Sequence, residues 1–359
     1  MSLSDAPAIR VGLAGFGPAG SFFHAPLIAA TPGLRLTAVV TRDPARAELV
    51  RAGYPGVDVV PDAEALWDRC DLVVIATPNR THVPLAAEAL KAGLPVVVDK
   101  PLAGTAAEAR DLVRLARDRG LMLTVFQNRR WDGDFLTLRR LLPELGEVHR
   151  FESRFERWRP VPKGGWRESG GPEEIGGTLY DLGSHLVDQA LRLFGPVSHV
   201  YAETDVRRTG VRNDDDAFLA LTHRNGTRSH LWMSAVAANL GPRFRVLGSR
   251  ASYVKWGLDP QEERLRAGGR PGGGSGEEPG WGAEPSERWG TLGVEGDARP
   301  VRTEPGAYQR FYEGVVACLR DGAAPPVEPD DAAEIIAVLE AAVLSATRGQ
   351  VVALPERTG

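Results

Sequence analysis

Cysteine is nearly absent from this sequence. Cys70 and Cys318 are the two in 359 residues, and neither has a metal-type spacing. A disulfide framework is therefore not expected, and a reducing cytoplasm is the expected compartment. Long apolar runs are missing too. No stretch reaches the ~20 residues of a membrane-spanning helix, and the start, MSLSDAPAIR, lacks the basic and apolar regions of a signal peptide. Nor is there an excess of charge of either sign. The net charge of -4 and pI near 6.0 give no reason to expect nucleic acid or an anionic membrane as a partner. No clustered metal ligands and no internal repeat stand out. The chain is 43% hydrophobic and 25% charged, which is ordinary for a soluble globular protein. It exceeds the ~250–300 residues at which single cores stop growing, so two domains are expected.

The first part, residues 1–127, alternates short apolar strands with helix-like segments. Ile9–Ala14 runs into Gly15-Phe16-Gly17-Pro18-Ala19-Gly20, and Phe22, Phe23, Leu27 and Ile28 follow at helical spacing. Strand, G-x-G-x-x-G and helix in that order form a dinucleotide fingerprint. Gly15 permits the tight turn, Gly17 lets the backbone approach a pyrophosphate, and Gly20 lets helix pack on strand. The pyrophosphate would rest on free N–H groups at the positive end of a helix dipole. The second strand, Leu34–Val40, ends at Thr41-Arg42 where NAD sites usually carry an acid. A hydroxyl and a guanidinium suit a 2′-phosphate, so NADP(H) is favoured over NAD(H). Asp43 is the alternative ribose ligand. Further strands are expected at 57–60, 71–76, 95–98 and 122–126, with helices at 83–92 and 106–119. That pattern predicts a doubly wound parallel sheet. Ligands in such sheets bind beyond the carboxyl ends of the strands, where Thr77-Pro78-Asn79 and Asp99-Lys100-Pro101 lie. Lys100 is either a cleft ammonium or a solvated side chain. His24 and His82 are each ambiguous between helix surface and cleft.

The second part, residues 128–359, begins with Asn128-Arg129-Arg130-Trp131, which reads as a polar-substrate cleft or a charged hinge. The stretch 157–172 is rich in Trp, Arg, Gly and Pro and reads as an ordered loop; Trp158 and Trp166 there either cover a substrate or pack locally. It leads into Gly176–Asp188. If that segment is one helix, Asp181 and His185 stand four residues apart on one face, and its leucines supply an apolar side. The pair is either a proton-transfer site or an ordinary surface pair. A strand is expected at 148–155, before that loop, and others follow at 197–204, 217–222, 228–235, 244–247 and 251–255, with a hairpin turn at Arg224–Thr227. They predict an α+β domain on a mainly antiparallel open sheet, whose uncovered face calls for a homodimer or homotetramer. The stretch 268–300 reads as a long anchored Gly/Pro-rich loop. Helices are expected at 308–320 and 331–347, and a last strand at 351–354.

These motifs together resemble the glucose-fructose oxidoreductase/inositol dehydrogenase (Gfo/Idh/MocA) family over nearly the whole chain. The resemblance rests on Gly15–Gly20, Thr77-Pro78-Asn79, Asp99-Lys100-Pro101 and the D-x-x-x-H of Asp181 and His185. The stretches 128–135, 177–185 and 253–262 are most similar to NADP-dependent scyllo-inositol dehydrogenase-like members. The resemblance implies a Rossmann domain and an α+β domain. It implies a catalytic lysine, aspartate and histidine, which fall on Lys100, Asp181 and His185, and a cis peptide before Pro101. Two positions depart from the family pattern: Asp99 stands where glutamate is common, and Thr41 where NAD-dependent relatives carry an acid.

The expected reaction is reversible oxidation of a secondary alcohol on a cyclic polyol or sugar by hydride transfer. His185 moves the hydroxyl proton, Asp181 orients the imidazole or binds a neighbouring hydroxyl, and Lys100 stabilises the alkoxide. Arg129, Trp131 and Tyr180, with Asn79, are candidate substrate contacts, and no metal is required. The alternatives are a non-catalytic sugar or dinucleotide sensor on the same fold, and a dehydrogenase of another diol or amino sugar.

Overall fold

Short, continuously apolar segments make the first sheet of the computed structural model, which describes residues 7–272 and 280–356. Its strands are β1 (Ile9–Ala14), β2 (Leu34–Val40), β3 (Asp58–Val60), β4 (Leu72–Ile75), β5 (Val96–Asp99) and β6 (Leu123–Phe126). All pair in parallel, in the order β3-β2-β1-β4-β5-β6. Strand β4 is buried along its whole length, because helices cover both faces of the sheet. Those helices include α1 (Ala25–Ala30), α2 (Pro44–Gly53), α3 (His82–Lys91) and α4 (Ala106–Asp118). Thr105 and Glu108 close α4 with a reciprocal capping box. The strand order reverses between β1 and β4, which opens a crevice at their carboxyl ends.

The second sheet has nine strands: β7 (Val148–Glu156), β8 (Val197–Asp205), β9 (Asp216–His223), β10 (Arg228–Ser234), β11 (Phe244–Gly248), β12 (Ser252–Lys255), β13 (Gly290–Val294), β14 (Asp297–Val301) and β15 (Val352–Ala353). Their order is β14-β13-β12-β11-β7-β10-β9-β8-β15, and the one parallel pair is β7 with β10. Alternate residues of β9 and β10, including Leu219, Leu221, Leu231 and Met233, are buried. The remaining helices are α5 (Gly133–Leu145), α6 (Trp166–Ser169), α7 (Thr178–Asp181), α8 (Gly183–Phe194), α9 (Gln261–Arg266), α10 (Gln309–Asp321) and α11 (Pro329–Arg348). Leu186 and Val187 of α8 and Ile336 and Leu339 of α11 share one core with the buried side chains of β9 and β10. The other residues of β9 and β10, among them Phe218, His230 and Trp232, are only half-buried.

The stretch 268–300, expected as a loop, instead carries the β13–β14 hairpin at its end, where Leu292 pairs with Tyr253 of β12. Gly290, Gly293 and Pro300 hid this hairpin, since such residues are scarce in strand interiors. Residues 273–279 of that stretch lie outside the described residues.

Two features join the sheets. Phe311, Tyr312 and Val315 of α10 and Ala332 of α11 pack into the core of the first sheet, although they follow the second in sequence. Arg130 donates to Asp188 of α8 in a bidentate pair and also to Asp331 of α11. No helix among the described residues is long and apolar enough to cross a membrane.

Candidate active site

The glycine turn has the form that a dinucleotide needs. Gly15 adopts φ +101°, and a Cβ there would lie 2.6 Å from the Ala76 carbonyl oxygen. A Cβ on Gly20 would lie 2.2 Å from the Gly15 carbonyl oxygen, so only hydrogen fits at either position. Gly17 by contrast faces open space. Its backbone is the approachable edge of the turn, so the loop fits a pyrophosphate. Phe16 is buried and meets Tyr54 edge to face. Thr77 sits against Gly15 and shares a 2.7 Å hydroxyl–hydroxyl bond with Thr81. Pro78 turns the chain, and Asn79 donates to the Ile175 carbonyl at 3.0 Å, pinning the segment that precedes α7. At the end of β2, the Asp43 carboxylate accepts from the Ala45 and Arg46 amides as the cap of α2. Both bonds fall on one oxygen of this alternative ribose acid. Arg42 donates to the Pro61 carbonyl at 3.1 Å, and the Thr41 hydroxyl accepts from the Asp43 amide at 3.3 Å.

Between the sheets lies a cleft of about 400 Å³, bounded by Pro18 and Ala19 on one side and by Phe155, Asp181 and His185 on the other. Lys100 enters it from the end of β5, beyond which the Lys100–Pro101 peptide is cis. Its ammonium donates to the Asp181 carboxylate at 2.8 Å and to the Asp181 carbonyl at 2.6 Å. The second bond exists because the expected continuous helix is broken. Between α7 and α8 the His185 amide turns to the Leu182 carbonyl, leaving the Asp181 carbonyl without its helical i+4 partner. Lys100 takes that vacancy. The expected Asp181–His185 bond is correspondingly missing among the described residues; Asp181 orients the lysine, not the imidazole.

What holds α7 there is Asp214. Its carboxylate accepts from the Leu179 amide at 2.7 Å and from the Thr178 hydroxyl at 2.8 Å. Gly177 lies so close that a Cβ would meet Asp214 Oδ1 at 2.0 Å, at a backbone φ of +88°.

The electrostatics separate the two titrating groups. Burial pushes the Asp181 carboxyl up, but Lys100, backed by Arg167 and Arg157, overcomes it and holds the group ionised far below the usual carboxylate range. Burial pushes His185 well below the imidazole value of 6.5, and Lys100 and Arg129 add to that against Asp181. His185 Nδ1 is buried without a hydrogen-bond partner. The site therefore presents a neutral imidazole beside an ammonium and a carboxylate.

Both ambiguous histidines are interior. His24 is fully buried, with Nδ1 2.6 Å from the Tyr312 hydroxyl and Nε2 3.5 Å from Asp99. Burial pushes the Asp99 carboxyl up, but His24 and Lys100 outweigh it and lower its pKa. His82 bridges the carbonyls of Thr77 and Pro101.

Of the expected substrate contacts, Arg129 lines the cleft. It lies over the Phe155 ring at 4.5 Å and pairs with Glu262 at 2.5 Å. Trp131 packs edge to face on Phe311 and Tyr180 reaches the Gly104 carbonyl at 3.4 Å; neither borders the cleft. Arg130 serves the Asp188–Asp331 junction. Trp166 borders the cleft under Arg167, whereas Trp158 is 56% exposed. The residues not singled out beforehand are Arg157, Arg159, Lys163, Arg167 and Arg208, all on the cleft wall. The signal for the first four was the density of cations in the 157–172 loop; Arg208, after β8, had none.

Fold and site together define a two-sheet, dinucleotide-binding oxidoreductase. Residues 9–127 match the oxidoreductase family model for an NAD-binding Rossmann fold, and residues 140–354 match the model for its C-terminal alpha/beta domain. The chain belongs to the Gfo/Idh/MocA oxidoreductase family. It is 43% identical to the uncharacterized oxidoreductase YdgJ of Escherichia coli, over 94% of this chain and 96% of that protein. It is 35% identical to the NADP(+)-dependent scyllo-inositol 2-dehydrogenase IolW of Bacillus subtilis, over 96% of each. The solved structure of YPO2259 from Yersinia pestis overlays with a TM-score of 0.90 at 40% identity, covering 98% of this chain and 99% of that one.

Proposed function

We propose that the protein is an NADP-favouring dehydrogenase/reductase that interconverts a secondary alcohol and a ketone on a scyllo-inositol-like cyclic polyol or sugar. The observation that carries this reading is the Lys100–Asp181 pair beside a neutral His185, facing the glycine turn across one cleft. The similarity to IolW supports both the substrate class and NADP. Thr41 and Arg42, a hydroxyl and a guanidinium at the end of β2, support NADP as well.

Gly15, Gly17 and Gly20 would hold the pyrophosphate, and Thr77, Pro78 and Asn79 the walls beyond it. Bound there, nicotinamide supplies or accepts hydride at its C4. The protein supplies the rest. His185, being neutral, accepts the hydroxyl proton as the alcohol is oxidised and returns it in reduction. Lys100, aimed by the carbonyl and one carboxylate oxygen of Asp181, donates to the same substrate oxygen and stabilises its developing charge. Holding the reacting atoms together in the cleft would supply a large part of the acceleration.

Incubation with NADPH and scyllo-inosose tests the reading. Loss of reduced-cofactor absorbance supports it, and no turnover of any cyclic ketone or polyol with either cofactor would falsify it. That last outcome would favour the sensor alternative.

In this reading the protein acts in the cytoplasm as a homodimer or homotetramer. The half-buried face of β9 and β10 supports the assembly. Phe218 and Trp232 lie 5.1 Å apart there, and Arg154 sits 3.9 Å over the Trp232 ring.

A further inference from the structure

The cleft is more cationic than a neutral polyol requires. Its lining carries eight lysines and arginines against five carboxylates, in a chain whose net charge is -4. Most of the eight are accounted for. Lys100 and Arg167 face Asp181, Arg129 and Arg266 face Glu262, and Arg208 is held by Glu168 and Asp215. Three remain. Among the described residues, Arg157, Arg159 and Lys163 have no carboxylate at ion-pair distance.

Arg157 is the telling one. It is half-buried at the mouth of β7, with its guanidinium 4.7 Å over the Phe155 ring. Phe155 also borders the cleft and carries Arg129. Burial and then the neighbouring Arg159 push the Arg157 pKa down to about 10. Asp181 and Glu262 act on it only from beyond ion-pair distance, so a half-buried cation with a cationic neighbour gains when a ligand brings a direct counterion. Arg157 and Arg159 also form the wall between the cleft and a second cavity of about 530 Å³. The glycine turn that fits the cofactor's pyrophosphate belongs to the other sheet, so these arginines are not needed there.

We propose that Arg157 and Arg159 form a subsite for a carboxylate or phosphate carried by the substrate, so that an anionic polyol or sugar is preferred over its neutral parent. This rests on the dehydrogenase reading above and narrows its substrate class.

The test uses the full chain with saturating cofactor and matched probes: glucose against glucuronate and glucose 6-phosphate, and myo-inositol against inositol 1-phosphate. At least one anionic probe is expected to exceed its parent in kcat/KM by about tenfold or more at low salt, as charge-assisted bidentate contacts do. Added salt narrows the gap. Arg157→Met and Arg159→Gln bring the ratio toward one, while Arg157→Lys keeps part of it. Which probe responds separates a carboxylate from a phosphate. A second readout needs no turnover: with cofactor saturating, inorganic phosphate raises the Tm of the wild type but not of Arg157→Met. Phosphate stabilisation that depends on Arg157, with no sugar or polyol turned over, would support the subsite while the dehydrogenase reading fails. Neutral parents preferred throughout, with no phosphate effect on Tm, would overturn the subsite. So would an Arg157→Met variant that loses affinity for the dinucleotide while its selectivity is unchanged.

Discussion

Lys100 is tied to two oxygens of one residue, and that double tether separates a positioned ammonium from a solvated lysine. Replacing Asp181 by Ala removes the carboxylate and leaves only the carbonyl. We expect kcat to fall about 100-fold or more, within the usual range for general acid–base and electrostatic groups. Cofactor affinity, measured by fluorescence titration, is expected to stay near wild type. Loss of binding with kcat unchanged would contradict the assignment. The pH dependence follows from His185. The native imidazole pKa lies well below 6.5, so the neutral, proton-accepting form persists as pH falls through the ordinary histidine range. The acid limb of kcat/KM for alcohol oxidation should therefore lie below pH 6.5. A break at the ordinary value would mean that His185 is not the base. At this scale the sequence already carried Lys100, Asp181 and His185. It did not carry the partner choice, because a spacing of four residues predicts an Asp181–His185 contact that a break at Leu182 removes.

That break is a property of elements. Apolar spacing runs unbroken from Leu179 through Leu182 to Leu186, so periodicity alone reads one helix. The two short helices are set instead by contacts distant in sequence: Asp214 at the start of α7 and Lys100 at its end. Asp214→Ala should cost roughly 0.5–2 kcal/mol, as loss of a helix cap does. It should also lower kcat, since α7 carries Asp181. Gly177→Ala should do the same through the clash with Asp214. Urea unfolding and steady-state kinetics on the same preparations check both, and a stability loss with full kcat would separate the cap from the site. The arginines of the 157–172 loop were visible as composition only. Loops show no periodicity, and nothing local says that this one folds back over the cleft.

At the scale of the molecule, the Val- and Ile-rich strands of the first sheet and the alternation of β9 and β10 made the two sheets legible. The return of α10 to the first core was not, since an amphipathic helix does not state which sheet it covers. One buried pair ties β12 of the second sheet to the segment before β13: Lys255 and Glu284, 3.1 Å apart and both nearly inaccessible. Lys255→Met strands the glutamate in the interior and should destabilise by about 3–5 kcal/mol in urea unfolding. A change under ~1 kcal/mol would contradict the structure there. Acid should weaken the whole fold. Burial lowers the native pKa of His185, and that of His223 to about 4, from 6.5. Below pH 6.5 the unfolded chain takes up protons that the native state refuses, so stability falls as pH drops from 6.5 toward 4. A Tm flat over that window would argue against buried neutral histidines.

The proposed hydride-transfer site is tested most directly by single-turnover kinetics of Lys100→Met and His185→Asn with bound NADPH and scyllo-inosose. The account predicts that both variants bind NADPH as the wild type does, yet oxidise it at least about 100-fold more slowly. Wild-type oxidation rates in either variant would contradict the role given to that residue.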